Sequence, residues 1–159
     1  DFFDIDYEGE IPVGGSGELI QVNFLRQGDA DVNGSNVNLP DSFVMDFPQN
    51  NMTFTDLTDF EIVWTPGVSG DNIELTEIAT CKSALDENIV ISESTNVSDD
   101  GSFTTDFLSK LIGTINDKGC DLRIVLQRNR NGDLAEGFGE GGYIRAIQKR
   151  EVKDMRIEI

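Results

Sequence analysis

The stretch FEIVWTPG, residues 60–67, combines a strand and a turn. Its apolar residues Phe60, Ile62 and Trp64 stand two positions apart, which is the period of a β-strand with one buried face. The closing Pro66-Gly67 pair favours a turn, because proline presets its backbone angle and glycine tolerates positive φ. This stretch therefore predicts a β fold of short strands joined by tight connections.

Similar turn signals divide the rest of the chain. They are Asn33-Gly34, Ser69-Gly70, Asp100-Gly101, Lys118-Gly119 and Asn131-Gly132. The segments between them predict strands at Leu19–Leu25, Phe43–Phe47, Asn72–Thr80, Asn88–Asn96, Asp121–Arg128, Gly142–Gln148 and Val152–Ile159. Of the turn signals, Asn131-Gly132 is typical of a two-residue type I′ hairpin.

One segment departs from the two-residue period and predicts a short helix of about ten residues. Its apolar residues recur at helical spacing, Ser102 or Thr104 is suited to the N-cap, and Gly113 is suited to the end. The apolar residues concerned are Phe103, Phe107, Leu108, Leu111 and Ile112. Many short strands and one short helix predict an all-β, immunoglobulin-like antiparallel β-sandwich.

Four features resemble bacterial secreted immunoglobulin-like or fibronectin type III-like domains, over residues 18–159. They are the strand that ends at Pro48, the Trp64-Thr65-Pro66-Gly67 motif, a strand that ends in cysteine, and Asp99-Asp100-Gly101-Ser102-Phe103. Trp64 is similar to the core tryptophan of such sandwiches. The resemblance implies adhesion, scaffolding or carbohydrate binding, and fold similarity alone does not choose among these roles.

The N-terminal segment alternates apolar and acidic residues, as an amphipathic strand does. Phe3, Ile5, Tyr7, Ile11 and Val13 fall on one face with Gly9, whereas Asp4, Asp6, Glu8 and Glu10 fall on the other. Residues 14–17, GGSG, predict a flexible hinge. Two alternatives follow: the segment is the first strand of its own sandwich, or it completes the sheet of a neighbouring copy, as donor strands do in pilus-like filaments. As an alternative to a natural hinge, GGSG is an artificial linker.

The composition limits the partners. The net charge of −18 argues against nucleic acid and anionic membranes, because both repel an acidic protein. No apolar run approaches the roughly 20 residues of a membrane helix, so membrane insertion is not expected. Residues 1–110 carry 22 acidic and 3 basic side chains, and residues 111–159 carry 8 and 9. This asymmetry indicates either a solvated acidic surface or opposite ends that attract in successive copies.

Domain organisation and cellular location follow from length and cysteine content. We expect an N-terminal strand and hinge over residues 1–17, followed by a single β-sandwich domain over residues 18–159. The chain begins without an initiating Met, so we expect a processed, secreted product. Cys81 and Cys120 predict a disulfide, with two buried thiols as the alternative.

Catalytic motifs are not recognisable in this sequence. The chain has no histidine, which excludes Ser-His-Asp and Cys-His arrangements and histidine-bearing zinc sites. Gly137–Gly142 matches G-x-G-x-x-G, but Tyr143–Gln148 predicts a strand where a nucleotide site needs a helix, so a glycine-rich loop is favoured. We therefore expect a protein that is not an enzyme and holds no cofactor.

The expectation that the protein holds no cofactor has one exception, a structural calcium ion. Residues 29–35, DADVNGS, place oxygen-bearing side chains at alternate positions with glycine sixth, as calcium loops do. The candidate ligands are Asp29, Asp31, Asn33, Ser35 and Asp41. Position twelve is Pro40 instead of a bidentate Glu, and a polar hairpin loop is the alternative.

The function predicted from the sequence is that of a non-enzymatic extracellular module with a structural or adhesive role. We expect self-assembly into filaments by donation of the N-terminal strand, with other copies of the chain as the main partner. The alternative is a secreted calcium- or carbohydrate-binding module, for which a glycan or another cell-surface ligand is the partner.

Overall fold

The computed structural model describes residues 8–10, 16–28, 30–67, 71–83, 85–116, 118–137 and 142–158. These residues form ten strands and one 3-10 helix. The strands are β1 (Leu19–Phe24), β2 (Val32–Asn38), β3 (Met45–Phe47), β4 (Thr53–Phe54), β5 (Phe60–Trp64), β6 (Asn72–Lys82), β7 (Asn88–Val97), β8 (Ser102–Thr105), β9 (Cys120–Asn131) and β10 (Arg145–Ile157). The 3-10 helix spans Phe107–Leu111.

The strands form three sheets. A five-stranded sheet has the order β4-β10-β9-β6-β7, in which all pairs are antiparallel except the short parallel pair of β4 with β10. Strands β3, β5 and β8 form an antiparallel three-stranded sheet, and β1 pairs antiparallel with β2. The predicted all-β class, with antiparallel sheets and one short helix, is confirmed.

The five-stranded and three-stranded sheets bury one shared apolar core. Alternate residues of β5, β6 and β9 enter it, as the two-residue strand period requires. Its fully buried members include Ile62 and Trp64 of β5, Ile73 and Leu75 of β6, Leu122, Ile124 and Leu126 of β9, and Phe107, Leu108 and Leu111 of the 3-10 helix. This arrangement is compatible with a β-sandwich.

A disulfide joins Cys81 of β6 to Cys120 of β9, as predicted. The two cysteines are direct partners in the antiparallel ladder, and both are buried. The sequence separation is 39 residues, for which chain-entropy reasoning gives a stabilisation of about 4 kcal/mol. The bond therefore fixes the register of the two central strands at one end of the sheet.

The predicted helix is shorter than its apolar spacing indicates. Phe103 lies in β8 and pairs with Ile62 of β5, so the first part of the segment is a strand. Ile112 is exposed and follows the last helical residue. Pairing with the open edge of β5 satisfies more backbone groups than one further helical turn, which accounts for the difference.

The predicted turn at Asn33-Gly34 is wrong, because both residues lie within β2. The pairing of β1 with β2 is irregular at this point, where Gly34 has a φ of +96° and donates its N–H to the Asn23 side chain at 3.1 Å. Asn-Gly here forms a β-bulge instead of a reversal. Bulges and turns both favour residues that tolerate positive φ, so the Asn-Gly pair is compatible with either structure.

The predicted two-residue hairpin at Asn131-Gly132 is also wrong, because β9 and β10 are joined by residues 132–144. Asp133 bridges to Asn36 of β2 through two backbone hydrogen bonds of 2.8 and 2.9 Å. A Cβ at Gly132 would collide with Val37, so glycine is needed here for close packing on β2. The predicted Ser69-Gly70 turn and residues 138–141 of the glycine-rich loop lie outside the described residues.

A buried ion pair connects the two sheets. Arg128 of β9 is fully buried and binds Asp99, whose side chain is 5% exposed, through two hydrogen bonds of 2.7 and 2.9 Å. The indole N–H of Trp64 donates to the same carboxylate at 2.9 Å. Arg128 also donates to the carbonyls of Asp41 and Thr65 at 2.8 and 2.7 Å. Each charge is thus paired and hydrogen-bonded, which buried charges require.

Replacing Arg128 with alanine should lower the free energy of unfolding by about 3–5 kcal/mol, because Asp99 would remain buried without its counter-charge. Arg123→Ala is the matched control on the same strand, since its ion pair with Glu151 is exposed, and it should cost less than about 1 kcal/mol. Urea unfolding measures both. Equal losses for the two variants would show that the buried pair has no special role.

A second buried charge lies on the inner face of β6. Glu77 is 4% exposed and accepts a hydrogen bond from the Thr105 hydroxyl at 3.0 Å, while its other carboxylate oxygen has no partner. Burial raises the pKa of Glu77 to about 7, and the hydrogen bond from Thr105 opposes that rise. The nearby Glu93 also raises this pKa, whereas Lys110, which binds Glu93, lowers it.

The contribution of Glu77 to stability should be largest at low pH. Its folded pKa of about 7 exceeds the ordinary 4.5, so the folded state retains a proton that the unfolded state loses between these values. Stability relative to Glu77→Gln should fall by roughly 3 kcal/mol as pH rises from below 4.5 to above 7. Urea unfolding of both proteins across this range measures the difference, and a difference independent of pH would refute the shift.

Candidate functional site

One edge of β10 lacks a partner strand over most of its length among the described residues. The other edge pairs with β9 from Arg145 to Ile157. On the open side, β4 pairs only with Arg156 and Ile157. Among the described residues, no strand pairs with this side from Arg145 to Val152, and we call these eight residues the acceptor edge. An open edge presents backbone N–H and C=O groups that can bind another strand.

A cleft of about 470 Å³ lies beside the acceptor edge, between β10 and β3. Its lining combines apolar side chains with the polar turn that follows β3. The lining residues are Val44, Met45, Pro48, Gln49, Asn50, Arg150, Glu151 and Val152. The turn is bound to β10, because the Lys153 N–H donates to the Asn50 side chain at 2.9 Å. The cleft therefore offers apolar contacts immediately next to an open strand edge.

Segment 39–43 leads into the residues Val44 and Met45 that line the cleft. Side chains of the five-stranded sheet hold this segment in place. Four such side chains donate hydrogen bonds of 2.8–3.0 Å to its carbonyl groups. The donors and acceptors are Arg130 to Leu39, Gln148 to Pro40, Arg128 to Asp41, and Arg150 to Phe43. Arg128 also lies over the Phe43 ring, 4.6 Å from its centroid. The segment is thus fixed at four of its five carbonyls.

The strand that carries the acceptor edge is basic in an acidic protein. β10 has five basic and two acidic residues, a net charge of +3, whereas the whole chain carries −18. The basic residues are Arg145, Lys149, Arg150, Lys153 and Arg156. The positive charge of this strand therefore attracts an acidic segment.

Half of the predicted hinge is anchored close to segment 39–43. The Gly17 N–H donates to the Leu39 carbonyl at 3.0 Å, and the Ser16 hydroxyl donates to the Asp41 carboxylate. Ser16 and Gly17 form a turn. Gly14 and Gly15, the other half of the hinge, lie outside the described residues.

Most of the predicted assembly strand also lies outside the described residues. This holds for Phe3, Ile5, Tyr7, Ile11 and Val13. Gly9 is described, together with Glu8 and Glu10, and all three are exposed. Donation of this strand stays a prediction.

The candidate calcium ligands that the structure describes have separate partners. The Asp31 carboxylate accepts a hydrogen bond from the Arg26 N–H at 2.9 Å, and the buried Ser35 hydroxyl accepts one from the Ala135 N–H at 3.0 Å. Asp41 binds Ser16, and Asn33 is exposed in β2. Asp29 lies outside the described residues, and within them no three acidic, cysteine or histidine side chains form a metal-binding group. The calcium site stays a prediction.

The acceptor edge was missed from the sequence because two separate strands were predicted there. Residues 145–148 of the first predicted strand and 152–157 of the second are parts of the single strand β10, which continues through a bulge between Val152 and Met155. Asp154 has a φ of +58° in this bulge. The charged residues 149–151 look like a loop in the sequence, although the alternation of Ala146, Gln148, Arg150 and Val152 is a strand signal that runs through them.

Comparisons with known proteins give no identity: no protein-family model, curated protein or solved structure matches this chain. In the described part of the chain, no helix is long and apolar enough to cross a membrane.

Proposed function

We propose that this protein is a non-enzymatic extracellular module with a structural or adhesive role, which self-assembles by strand donation. Residues Phe3–Val13 of one copy pair with the acceptor edge of the next. The observation that carries the proposal is the open, basic edge of β10 beside a partly apolar cleft. A strand added there extends a sheet whose central strands are already paired on both sides.

The pattern of the donated segment suits this edge. Backbone hydrogen bonds supply affinity in β-augmentation, and alternate side chains fill a pocket. The face that carries Phe3, Ile5 and Tyr7 packs against the cleft beside Val44 and Val152. Burial of five apolar side chains contributes about 7–15 kcal/mol before the costs of ordering and association are subtracted.

Charge supports the same pairing. The polar face of the segment carries four carboxylates, at Asp4, Asp6, Glu8 and Glu10. Lys149 is exposed on the acceptor edge, so opposite charges meet when the segment is seated there. Cross-strand pairs of opposite charge stabilise a sheet, and like charges destabilise it.

The disulfide and the fold support the extracellular setting. Disulfides persist in oxidising compartments outside the cytosol, and the Cys81–Cys120 bond joins β6 to β9 at one end of the main sheet. We also propose that the sandwich is of the immunoglobulin-like type, with Trp64 as its core tryptophan. A donated strand makes a head-to-tail contact, which produces an open filament unless rotation closes it into a ring.

Deletion of residues 1–14 should leave a monomer, whereas the full-length protein should form larger species as its concentration rises. Light scattering coupled to size-exclusion chromatography measures this. Ile5→Asp with Tyr7→Asp should have the effect of the deletion, because charged side chains cannot enter the cleft without a large desolvation cost.

Lys149→Glu should weaken assembly through like-charge repulsion, and Asp4→Lys with Asp6→Lys should restore it in the same chain. Lys82→Glu is the matched control, since Lys82 ends β6 away from the acceptor edge. A full-length protein that remains monomeric at every concentration, with residues 3–13 bound to its own β10, would refute donation between copies.

A further inference from the structure

A second cleft, of about 520 Å³, lies on the outer face of the five-stranded sheet. Polar side chains from four adjacent strands line it. They are Asn72 and Glu74 of β6, Asn96 of β7, Asn129 and Asn131 of β9, and Arg145 of β10. We call it the amide cleft, because four of its six residues are asparagines.

Strand register brings these side chains together. Asn72 pairs directly with Asn129, Glu74 with Asn96, and Asn131 with Arg145. The residues that neighbour them along β6 and β9 point to the opposite face, where Ile73 and Arg128 are buried. The asparagines therefore share the outer face because successive strand residues alternate in direction.

Asn129 is the feature of the amide cleft that points to a ligand. The residue is 8% exposed, and its amide oxygen is buried with no hydrogen-bond partner. Its amide nitrogen donates only one long hydrogen bond, of 3.4 Å, to the Gln127 carbonyl. A buried amide oxygen without a donor costs free energy, which a hydroxyl group from a ligand would recover.

An exposed aromatic ring stands next to the cleft. Tyr143 is 67% exposed, and the guanidinium of Arg145 lies over its ring at 5.1 Å from the centroid. Arg145 also donates to the Asn131 side chain at 3.3 Å. The ring is thus held beside the amides, where an apolar ligand face can pack on it.

The chemistry of the lining defines the ligand class. Asparagine amides both donate and accept hydrogen bonds, which matches hydroxyl groups that also do both. The one carboxylate, Glu74, and the one guanidinium, Arg145, balance in charge, so the cleft selects no ionic ligand. We infer that the amide cleft binds a neutral carbohydrate, whose hydroxyls bind Asn72, Asn129 and Asn131 and whose apolar ring face packs on Tyr143. This site shares only Arg145 with the acceptor edge and does not depend on strand donation.

The test is a titration of the full chain, at a concentration where it is monomeric, with neutral sugars. The probes are glucose, galactose, mannose, N-acetylglucosamine, and the disaccharides maltose, cellobiose and lactose. Nuclear magnetic resonance of asparagine side-chain amides follows binding. We expect at least one sugar to shift the Asn129 and Asn131 signals in a saturable manner that is unaffected by salt, because the ligand is neutral.

Asn129→Ala should weaken that binding about tenfold or more through loss of a buried hydrogen bond. It should leave the thermal midpoint unchanged or higher, because it removes an unpartnered group. Tyr143→Ala, an exposed change that should not affect folding, should also weaken binding. Asn88→Ala is the matched control, since Asn88 is exposed at the far end of β7.

Three results would overturn the inference. They are the absence of saturable shifts with all seven sugars, shifts that persist unchanged in both Asn129→Ala and Tyr143→Ala, and salt-sensitive binding restricted to acidic sugars such as glucuronic acid.

Discussion

The buried ion pair between Arg128 and Asp99 connects the main sheet to the segments around the candidate site. Its charges are tolerable inside the protein only because Trp64 and two backbone carbonyls complete their hydrogen bonds. One of these carbonyls belongs to Asp41, so the pair also positions segment 39–43. That segment separates the β1–β2 pair from the three-stranded sheet and leads into the cleft beside β10. The buried Arg128 on β9 thus helps to shape the cleft beside the neighbouring strand β10.

Much of the fold could be predicted from the sequence, because it depends on local alternation and turn residues. β5 and β7 lie close to their predicted bounds. The predicted turns at Pro66-Gly67 and Asp100-Gly101 lie next to each other, because the Trp64 N–H donates to the Gly101 carbonyl. The partner of Asp99 could not be predicted. Arg128 continues the inward register of Leu122, Ile124 and Leu126, which is a signal for burial, but its partner is 29 residues away and no local pattern connects them.

The two clefts depend on which strands are neighbours, and one sequence does not contain that information locally. The acceptor edge exists because β4 is only two residues long and covers only the end of β10. The amide cleft exists because β6, β7, β9 and β10 are adjacent and in register. The two-residue strand period predicts that its asparagines point outward. Their proximity to one another depends on which strands pair and in what register. The N-terminal pattern is local and could be stated as a prediction from the sequence, whereas the acceptor edge depends on tertiary pairing and could not.

Strand donation to the acceptor edge is tested most directly by hydrogen exchange at the backbone amides of residues 145–152 in the full-length protein, resolved residue by residue. Alternate amides of a strand point to opposite sides, so those that face β9 serve as an internal reference. If strands are donated between copies, the amides on the open side exchange fast in dilute solution and become protected as concentration rises. Protection that is already complete in the dilute monomer, or absent in concentrated protein, would contradict donation between copies.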